Sequence, residues 1–364
     1  MGEMMRVVGL MSGTSLDGVD AAWVETDGER VGRLGPRLTL PYDEALRAEL
    51  RAILDDAPRL APDDARVAAA ARALTDRHAE AVAALGEACD LIGFHGQTIL
   101  HRPAERRTWQ IGDAARLACA MGRPVAHDFR SADVTAGGQG APLVPVFHAA
   151  LAARDGLGRP LAVLNLGGVG NVTWIGEGEG DLIAFDTGPA NGPLDDLARA
   201  RRGLPRDEGG ALALAGRPDE GALAQLLAHP YLAAPPPKSL DRLDFGAALA
   251  AAGLDALGDE DAAATLAAFA ARCVAAGVRH MPAPPARWLV AGGGRHNSAI
   301  MRALAEALAP APVEAVEAVG WDGDALEAQA FALLAARVVR GLPITFPGTT
   351  GVRAPMPGGL VQTS

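Results

Sequence analysis

The sequence predicts an α/β protein of two halves built on one plan. An apolar strand, a glycine turn and a second apolar strand open the chain at 5–25, and the same series returns at 161–175. A recurrence of this kind, one copy per half, marks an internal repeat. Alanine-rich, charged stretches of helical period separate the strands. The length of 364 residues suits two domains.

Residues 5–12 read as a buried strand, 13–18 as a polar glycine turn and 19–25 as the returning strand of a hairpin. Helices follow at 43–56 and 62–87. A short strand at 89–94 delivers His95, Gly96, Gln97 and Thr98 in a loop, and 108–111 is another strand. Asp113 then caps a helix over 114–121. A strand at 124–126 leads to a loop at 131–142 and a helix near 146–153. In the second half, strands at 161–166 and 172–175 flank the turn 167–171. A strand at 182–186 ends in Asp186-Thr187-Gly188-Pro189, before a helix over 191–202. Residues 203–246 read as loop-rich, 260–280 as a long helix and 287–291 as a strand entering Gly292-Gly293-Gly294. Helices at 297–308 and 324–340 and an irregular tail complete the chain.

Composition excludes several functions. Lys and Arg number 33 against 44 Asp and Glu, a net charge of −11, which lacks the basic footprint of a nucleic-acid or anionic-membrane binder. Hydrophobic residues make up 49%, enough for a core. Cys89, Cys119 and Cys273 are far apart and lack a CxxC, so neither a disulfide scaffold nor a four-cysteine zinc site is expected, and all three read as buried and inert. The N-terminus lacks a signal-peptide pattern, and no uncharged apolar run reaches about 18 residues. The expectation is a soluble cytoplasmic protein. Lys238 is the only lysine, so there is no P-loop and no protein-kinase strand lysine. Nucleotide chemistry here needs another phosphate cradle.

Small residues at Gly13-Thr14-Ser15-Leu16-Asp17-Gly18 let backbone N–H groups and hydroxyls converge, a nest that binds phosphate without lysine. An ordinary long hairpin turn fits this tip equally well. A second tip, at 167–171, favours two turns gripping a polyphosphate from both sides. Gly292, Gly293 and Gly294 leave backbone bare for a base or ribose. Asp186 at a strand end suits a carboxylate that takes a proton from water or a sugar hydroxyl, although an Asx-turn or N-cap role is the alternative. Arg130 and Asp133 in their loop read either as hydroxyl or carboxylate readers or as an exposed ion pair. His95, Gln97 and Thr98 pack donors and acceptors suited to a polyhydroxylated substrate, or form a satisfied strand-end turn. Glu327 faces either a cleft or solvent. His101, His127 and His148 lack metal-ligand spacing and read as structural.

Together the motifs identify a family. Gly9-Leu-Met-Ser-Gly-Thr-Ser-Leu-Asp-Gly-Val-Asp-Ala-Ala22 closely resembles the opening signature of anhydro-N-acetylmuramic acid kinases. So do Gly93-Phe-His-Gly-Gln-Thr98, Trp109-Gln-Ile-Gly-Asp113, Asp128-Phe-Arg130 with Asp133, and Gly138-Gln-Gly-Ala-Pro-Leu143. Asn165-Leu-Gly-Gly168 with Asn171, Asp186-Thr-Gly-Pro-Ala-Asn191 and Gly323-Asp-Ala-Leu-Glu327 extend the likeness across nearly the whole chain, in order.

The resemblance implies the two-lobed actin-like ATPase fold, with a ribonuclease-H-like core in each lobe and nucleotide in the interlobe cleft. The lobes would be 1–145, joined by 335–364, and 146–334. It implies ATP and Mg²⁺ as cofactors and a homodimer as the assembly. It also implies conversion of 1,6-anhydro-N-acetylmuramic acid to N-acetylmuramic acid 6-phosphate in cell-wall recycling. Carried over by position, Gly13, Thr14, Ser15, Leu16, Asp17, Gly18, Val19 and Asp20 would hold ATP phosphates. Gly167, Gly168 and Asn171 would form the second phosphate loop, and Gly292, Gly293 and Gly294 would border adenosine. Asp186 would be the general base, and His95, Gln97, Thr98, Arg130, Asp133 and Glu327 would line the sugar side. Met11 stands where the wider superfamily usually has a metal-placing aspartate, leaving Asp17 or Asp20 as candidates for that duty. The usual Pro-Pro-Lys-Ser-Thr-Gly-Arg reads Pro236-Pro-Lys-Ser-Leu-Asp-Arg242 here, and Ala291 replaces a frequent cysteine. The competing reading is an actin-like ATPase with a chaperone or assembly role. It shares the phosphate loops but leaves the cluster at 95–98 and 130–133 without a purpose.

Overall fold

A computed structural model describes residues 2–13, 15–178, 180–240 and 244–363. Thr14, expected among the phosphate ligands, lies outside the described residues. The chain divides into two units, residues 1–156 with 325–364 and residues 157–324.

The first unit opens with β1 (Met5–Ser12), β2 (Gly18–Thr26) and β3 (Val31–Pro41), an antiparallel meander. Helices α1 (Glu44–Asp56) and α2 (Ala65–Leu85) follow, each capped by an aspartate side chain, Asp43 or Asp64. Strand β4 (Leu91–Arg102) joins β1 in parallel and folds back onto β5 (Arg107–Ile111). Then come α3 (Ala114–Met121), β6 (Val125–His127) parallel to β4, α4 (Ser131–Thr135) and α5 (Pro145–Arg154). The second unit repeats the plan. Strands β7 (Leu161–Leu166), β8 (Val169–Ile175) and β9 (Leu182–Pro189) form the meander. After α6 (Asn191–Arg202), α7 (Ala211–Ala215), α8 (Glu220–Leu227), α9 (Gly246–Ala251) and α10 (Asp259–Gly277), β10 (Arg287–Ala291) joins β7 in parallel. Helix α11 (Ser298–Ala307) leads to β11 (Val313–Ala315), parallel to β10. The chain then returns to the first unit as α12 (Leu326–Arg340), α13 (Pro347–Thr350) and β12 (Leu360–Gln362), which pairs with β6.

The sheets run β12-β6-β4-β1-β2-β3, with β5 on β4, and β11-β10-β7-β8-β9. An antiparallel triplet extended by two parallel strands is the ribonuclease-H-like order, present in both units as the resemblance implied. The expected boundaries at 145 and 335 fall at or inside α5 and α12, which both belong to the first unit.

In the first unit one sheet face packs Val8, Leu10, Ile92 and Phe94 against α1 and α2, through Leu50, Ile53 and Leu74. The opposite face meets α12 at backbone distance. A Cβ on Gly9 would lie 1.9 Å from the Ala328 carbonyl oxygen, and one on Gly93 would lie 2.2 Å from that of Phe331. In the second unit α10 fills the core with Leu266, Phe269 and Cys273 against Phe185. This helix is long and apolar enough to cross a membrane, but most of it is buried within its unit.

Several elements depart from expectation. Strand β3 was not anticipated, because Gly35 and Pro36 interrupt its pattern; it is an edge strand, where proline is tolerated. Strand β4 does not stop at 94. It runs on to Arg102, so His95, Gln97 and Thr98 sit within a strand instead of a loop. The 131–142 loop begins as α4, and 203–246 contains α7 and α8. The tail is not wholly irregular, since it forms α13 and β12. Cys119 is exposed, while Cys89 and Cys273 are buried.

Candidate active site

In the first unit, β1 ends at Ser12 and the turn to Gly18 carries exposed Ser15 and Asp17. Leu16 is fully buried with φ +60°, a left-handed residue anchored by its side chain. A Cβ on Gly18 would lie 2.4 Å from the Leu40 carbonyl, so β3 dictates that glycine. Space beside Gly13 is open, with only Ser15 Oγ within 4 Å, at 3.8 Å. Val19 is core. Asp20 lies on β2 directly across from Met11, so the two side chains share a sheet face, and Thr39 Oγ1 donates to Asp20 Oδ1 at 2.6 Å.

His95 is buried. Arg130 Nε donates to its Nε2 at 3.0 Å, so Nδ1 carries the proton and donates to the Gly96 carbonyl at 2.8 Å. Burial, and then the charge of Arg130, hold the imidazole well below its usual range, so it stays neutral. Arg130 also donates to the Gly140 carbonyl at 2.7 Å through Nη1, leaving Nη2 for other acceptors. Its guanidinium is pushed down to about 10 by burial, with Glu327 and Asp133 opposing.

Asp133 is not in an exposed ion pair, one of the two readings left open for it. It is buried, with Oδ1 accepting from Gly140 N–H and Oδ2 from Thr350 Oγ1, both at 2.6 Å. Gln97 is likewise buried, its Oε1 accepting from Ser12 Oγ at 2.6 Å. Both are therefore held by hydrogen bonds inside the protein. Thr98 is half-buried and accepts from Gln110 Nε2 at 3.1 Å. Glu327 starts α12 and keeps solvent access. Its carboxyl is pushed upward by the surrounding protein and then by Asp20, with Arg130 opposing. A cavity of about 280 Å³ adjoins His95 and is lined also by Trp109, Gln110, Asp128 and Ser131 among others. Among the described residues no group of three or more His, Cys, Asp or Glu side chains is placed to hold a metal.

In the second unit, Gly167 and Gly168 form a tight turn whose carbonyls are held by the start of α6. Asn191 N–H donates to Gly167 O at 2.9 Å and Ala190 N–H to Gly168 O at 3.0 Å. Gly292 has φ +75°, and a Cβ there would strike Asn165 Oδ1 at 2.3 Å; one on Gly294 would strike the Leu166 side chain at 2.5 Å. Packing onto β7 therefore explains both glycines, while beside Gly293 only Asn191 Nδ2 comes within 4 Å, at 3.9 Å. Buried Arg295 secures this turn by donating to the Gly292 carbonyl, Glu317 and Asp324.

Asp186 lies within β9, opposite Asn171 of β8, beside a bulge at Thr187. Bulges re-aim side chains near functional sites. Asn171 Nδ2 donates to Asp186 Oδ1 and Leu240 N–H to Oδ2, each at 2.8 Å. Asn171 thus holds the carboxylate. Burial raises the Asp186 carboxyl above its ordinary range, against those two donors and Lys238. The Asp186 backbone is fixed as well, its N–H donating to Lys238 O and its carbonyl accepting from Tyr231 OH at 2.8 Å. Lys238 Nζ donates to the Tyr231 carbonyl at 3.0 Å and lies 4.6 Å from the Tyr231 ring centroid. Tyr231, Leu240, Ser12 and Thr350 are braces the sequence reading missed. Their hydrogen bonds to Asp186, Gln97 and Asp133 span 45 to 217 residues of chain, beyond any local pattern.

The family model described as anhydro-N-acetylmuramic acid kinase matches residues 5–362. Three relatives carrying that name are similar over almost their whole length. That of Acidiphilium cryptum (strain JF-5) is 60% identical over 98% of both chains. That of Rhodospirillum rubrum is 58% identical over 97% of this chain and 92% of its own. One from Rhodopseudomonas palustris (strain CGA009) is 54% identical over 98% and 99%.

Proposed function

The chain belongs to the anhydro-N-acetylmuramic acid kinase family, a family of phosphotransferases, and from that premise we propose its reaction and the residues that carry it. The protein uses ATP to open 1,6-anhydro-N-acetylmuramic acid with water and to phosphorylate O6, giving N-acetylmuramic acid 6-phosphate for cell-wall recycling. Asp186 takes a proton from water as the water oxygen bonds to the anomeric carbon and the C1–O6 bond breaks. The freed O6 attacks the γ-phosphorus, ADP leaves, and Asp186 returns its proton to solvent.

The observation that carries this reading is the Asp186 carboxylate, aimed by Asn171 and the Leu240 N–H and raised in pKa by burial. A base of raised pKa accepts a proton more readily than an ordinary carboxylate. The turn 13–20 and the turns at Gly167–Gly168 and Gly292–Gly294 bind ATP. Arg130, Thr98 and Glu327 read the sugar, with His95, Gln97 and Asp133 bracing them.

Mg²⁺ is part of the proposal. The ion usually takes one or two carboxylates and completes its shell with substrate phosphates and water. Asp20, fixed by Thr39 across from Met11, and Glu327, which feels the Asp20 charge, fit that demand without a third protein ligand. When bound, Mg²⁺ neutralises charge on the phosphates. A homodimer in the cytoplasm belongs to the same reading, and light scattering tests the dimer.

The deciding experiment is ADP release with ATP, Mg²⁺ and the anhydro sugar, beside N-acetylmuramic acid and N-acetylglucosamine. The expected result is turnover with the anhydro sugar alone and a 6-phosphate product. Asp186→Asn should retain ATP binding and lose at least ~10²-fold in turnover. Hydrolysis indifferent to every sugar would favour the actin-like ATPase reading instead.

A further inference from the structure

Two residues outside every motif control the first glycine turn. Three of its carbonyls, those of Gly13, Leu16 and Asp17, meet protein donors: Leu16 N–H takes Gly13 O at 3.2 Å, and Arg47 Nε of α1 takes Leu16 O at 3.0 Å. Asp17 O receives both Tyr42 N–H, at 3.1 Å, and Arg47 Nη2, at 3.4 Å. Among the described residues, no acceptor takes the N–H of Ser15 or Asp17. A turn with three of its oxygens claimed by protein donors and N–H groups left over is polarised for an anion, and its left-handed residue is the conformation that lets such groups converge.

Tyr42 also grips the other end of the turn. Its hydroxyl lies 2.6 Å from Ser12 Oγ. Ser12 has one proton, given to Gln97 Oε1, so Tyr42 is the donor in that bond. Tyr42 is buried, and burial pushes its phenol upward, so the proton stays in place. Residues 12 and 17 are thereby tied to one side chain and its own backbone N–H, and residue 16 to Arg47. The left-handed Leu16 is a strained conformation, costly enough to persist only where its surroundings over-determine it.

We propose that Arg47 and Tyr42 are positioning residues that hold Leu16 and Asp17 of the first turn in its anion-binding form, and so set the affinity for the ATP phosphates. This rests on the reading of that turn as a phosphate loop. Neither residue touches the nucleotide; both act through carbonyls and Ser12.

The test uses the full-length protein, with ADP and ATP as probes. Backbone amide resonances of Ser15 and Asp17 are followed by NMR during ADP titration, and Kd and KM are measured for wild type, Arg47→Ala, Arg47→Lys and Tyr42→Phe. The expected result is movement of both amides in wild type. Kd for ADP and KM for ATP should rise about tenfold or more in Arg47→Ala and severalfold in Tyr42→Phe. KM for the sugar should stay within twofold and Arg47→Lys should recover part of the loss, a split that a general loss of structure would not give. If the amides respond but all three variants bind ADP as wild type does, the proposal is overturned and the phosphate loop stands. If ADP binds and the amides stay still, the loop reading falls and takes the proposal with it. Should Arg47→Ala not fold, Arg47→Lys and Tyr42→Phe decide alone, with wild-type Kd in both as the refuting result.

Discussion

Replacing Asn171 by alanine should move the acidic limb of the pH–rate profile to higher pH. Asn171 Nδ2 lies 2.8 Å from Asp186 Oδ1, and its N–H favours the charged carboxylate. Burial already opposes that charge and has raised the carboxyl. Removing the donor leaves burial less opposed, so the folded-state pKa climbs further. A hydrogen bond to a charged group contributes about 1.5–3 kcal/mol, and one pH unit corresponds to about 1.4 kcal/mol, so the midpoint should rise by about 1–2 pH units. A general base works only when deprotonated, so activity below the shifted midpoint falls while the alkaline plateau largely recovers. The assay is kcat/KM for the anhydro sugar between pH 5 and 9, by coupled ADP release, in wild type and Asn171→Ala. An unmoved midpoint with a raised KM for ATP would refute this reasoning and return Asn171 to the phosphate loop, as the sequence reading has it.

Other outcomes test the braces and the packing. Thr350→Val strips one donor from buried Asp133 and should destabilise the protein by about 1–3 kcal/mol in chemical denaturation, with KM for ATP unchanged. Gly18→Ala forces a Cβ to 2.4 Å from Leu40 O and should cost about 1–3 kcal/mol, whereas Gly13→Ala, with open space, should stay within about 0.5 kcal/mol; thermal melts compare them. His78 is buried and pushed down to about 4 by burial. The unfolded chain therefore binds its proton first, and stability falls as pH drops from about 6.5 towards 4. Between pH 7 and 5 this one residue accounts for about 2 kcal/mol, which His78→Leu should remove from the measured pH dependence of unfolding.

The parts legible in the sequence are those with local causes. The run from Val7 to Leu10 is apolar because both faces of β1 are covered, and Asp113 announces α3 by capping it. Gly96 misled because glycine in a strand resembles a stop. Its φ of +72° and a would-be Cβ 2.5 Å from Ile111 O show that it permits close passage of β5 while β4 continues. Site residue types were readable from the motifs, but their division of labour was not. Asp133 and Gln97 look like ligands in sequence. Only partners far along the chain, Thr350 and Ser12, show how each is held. The partnership of Asn171 with Asp186 follows from cross-strand register, which no spacing within either strand announces.

The bare backbones of Gly9 and Gly93 against α12 also set an order of events at the ribosome. Strands β1 and β4 are made early, yet the helix that covers their second face is encoded after residue 325. The second unit, residues 157–324, emerges without interruption and has all its strands in hand before that helix appears. The half synthesised first is therefore the half completed last. A nascent chain halted before residue 325 carries a finished second unit behind an N-terminal sheet with an exposed apolar face, the state in which chaperones would meet it.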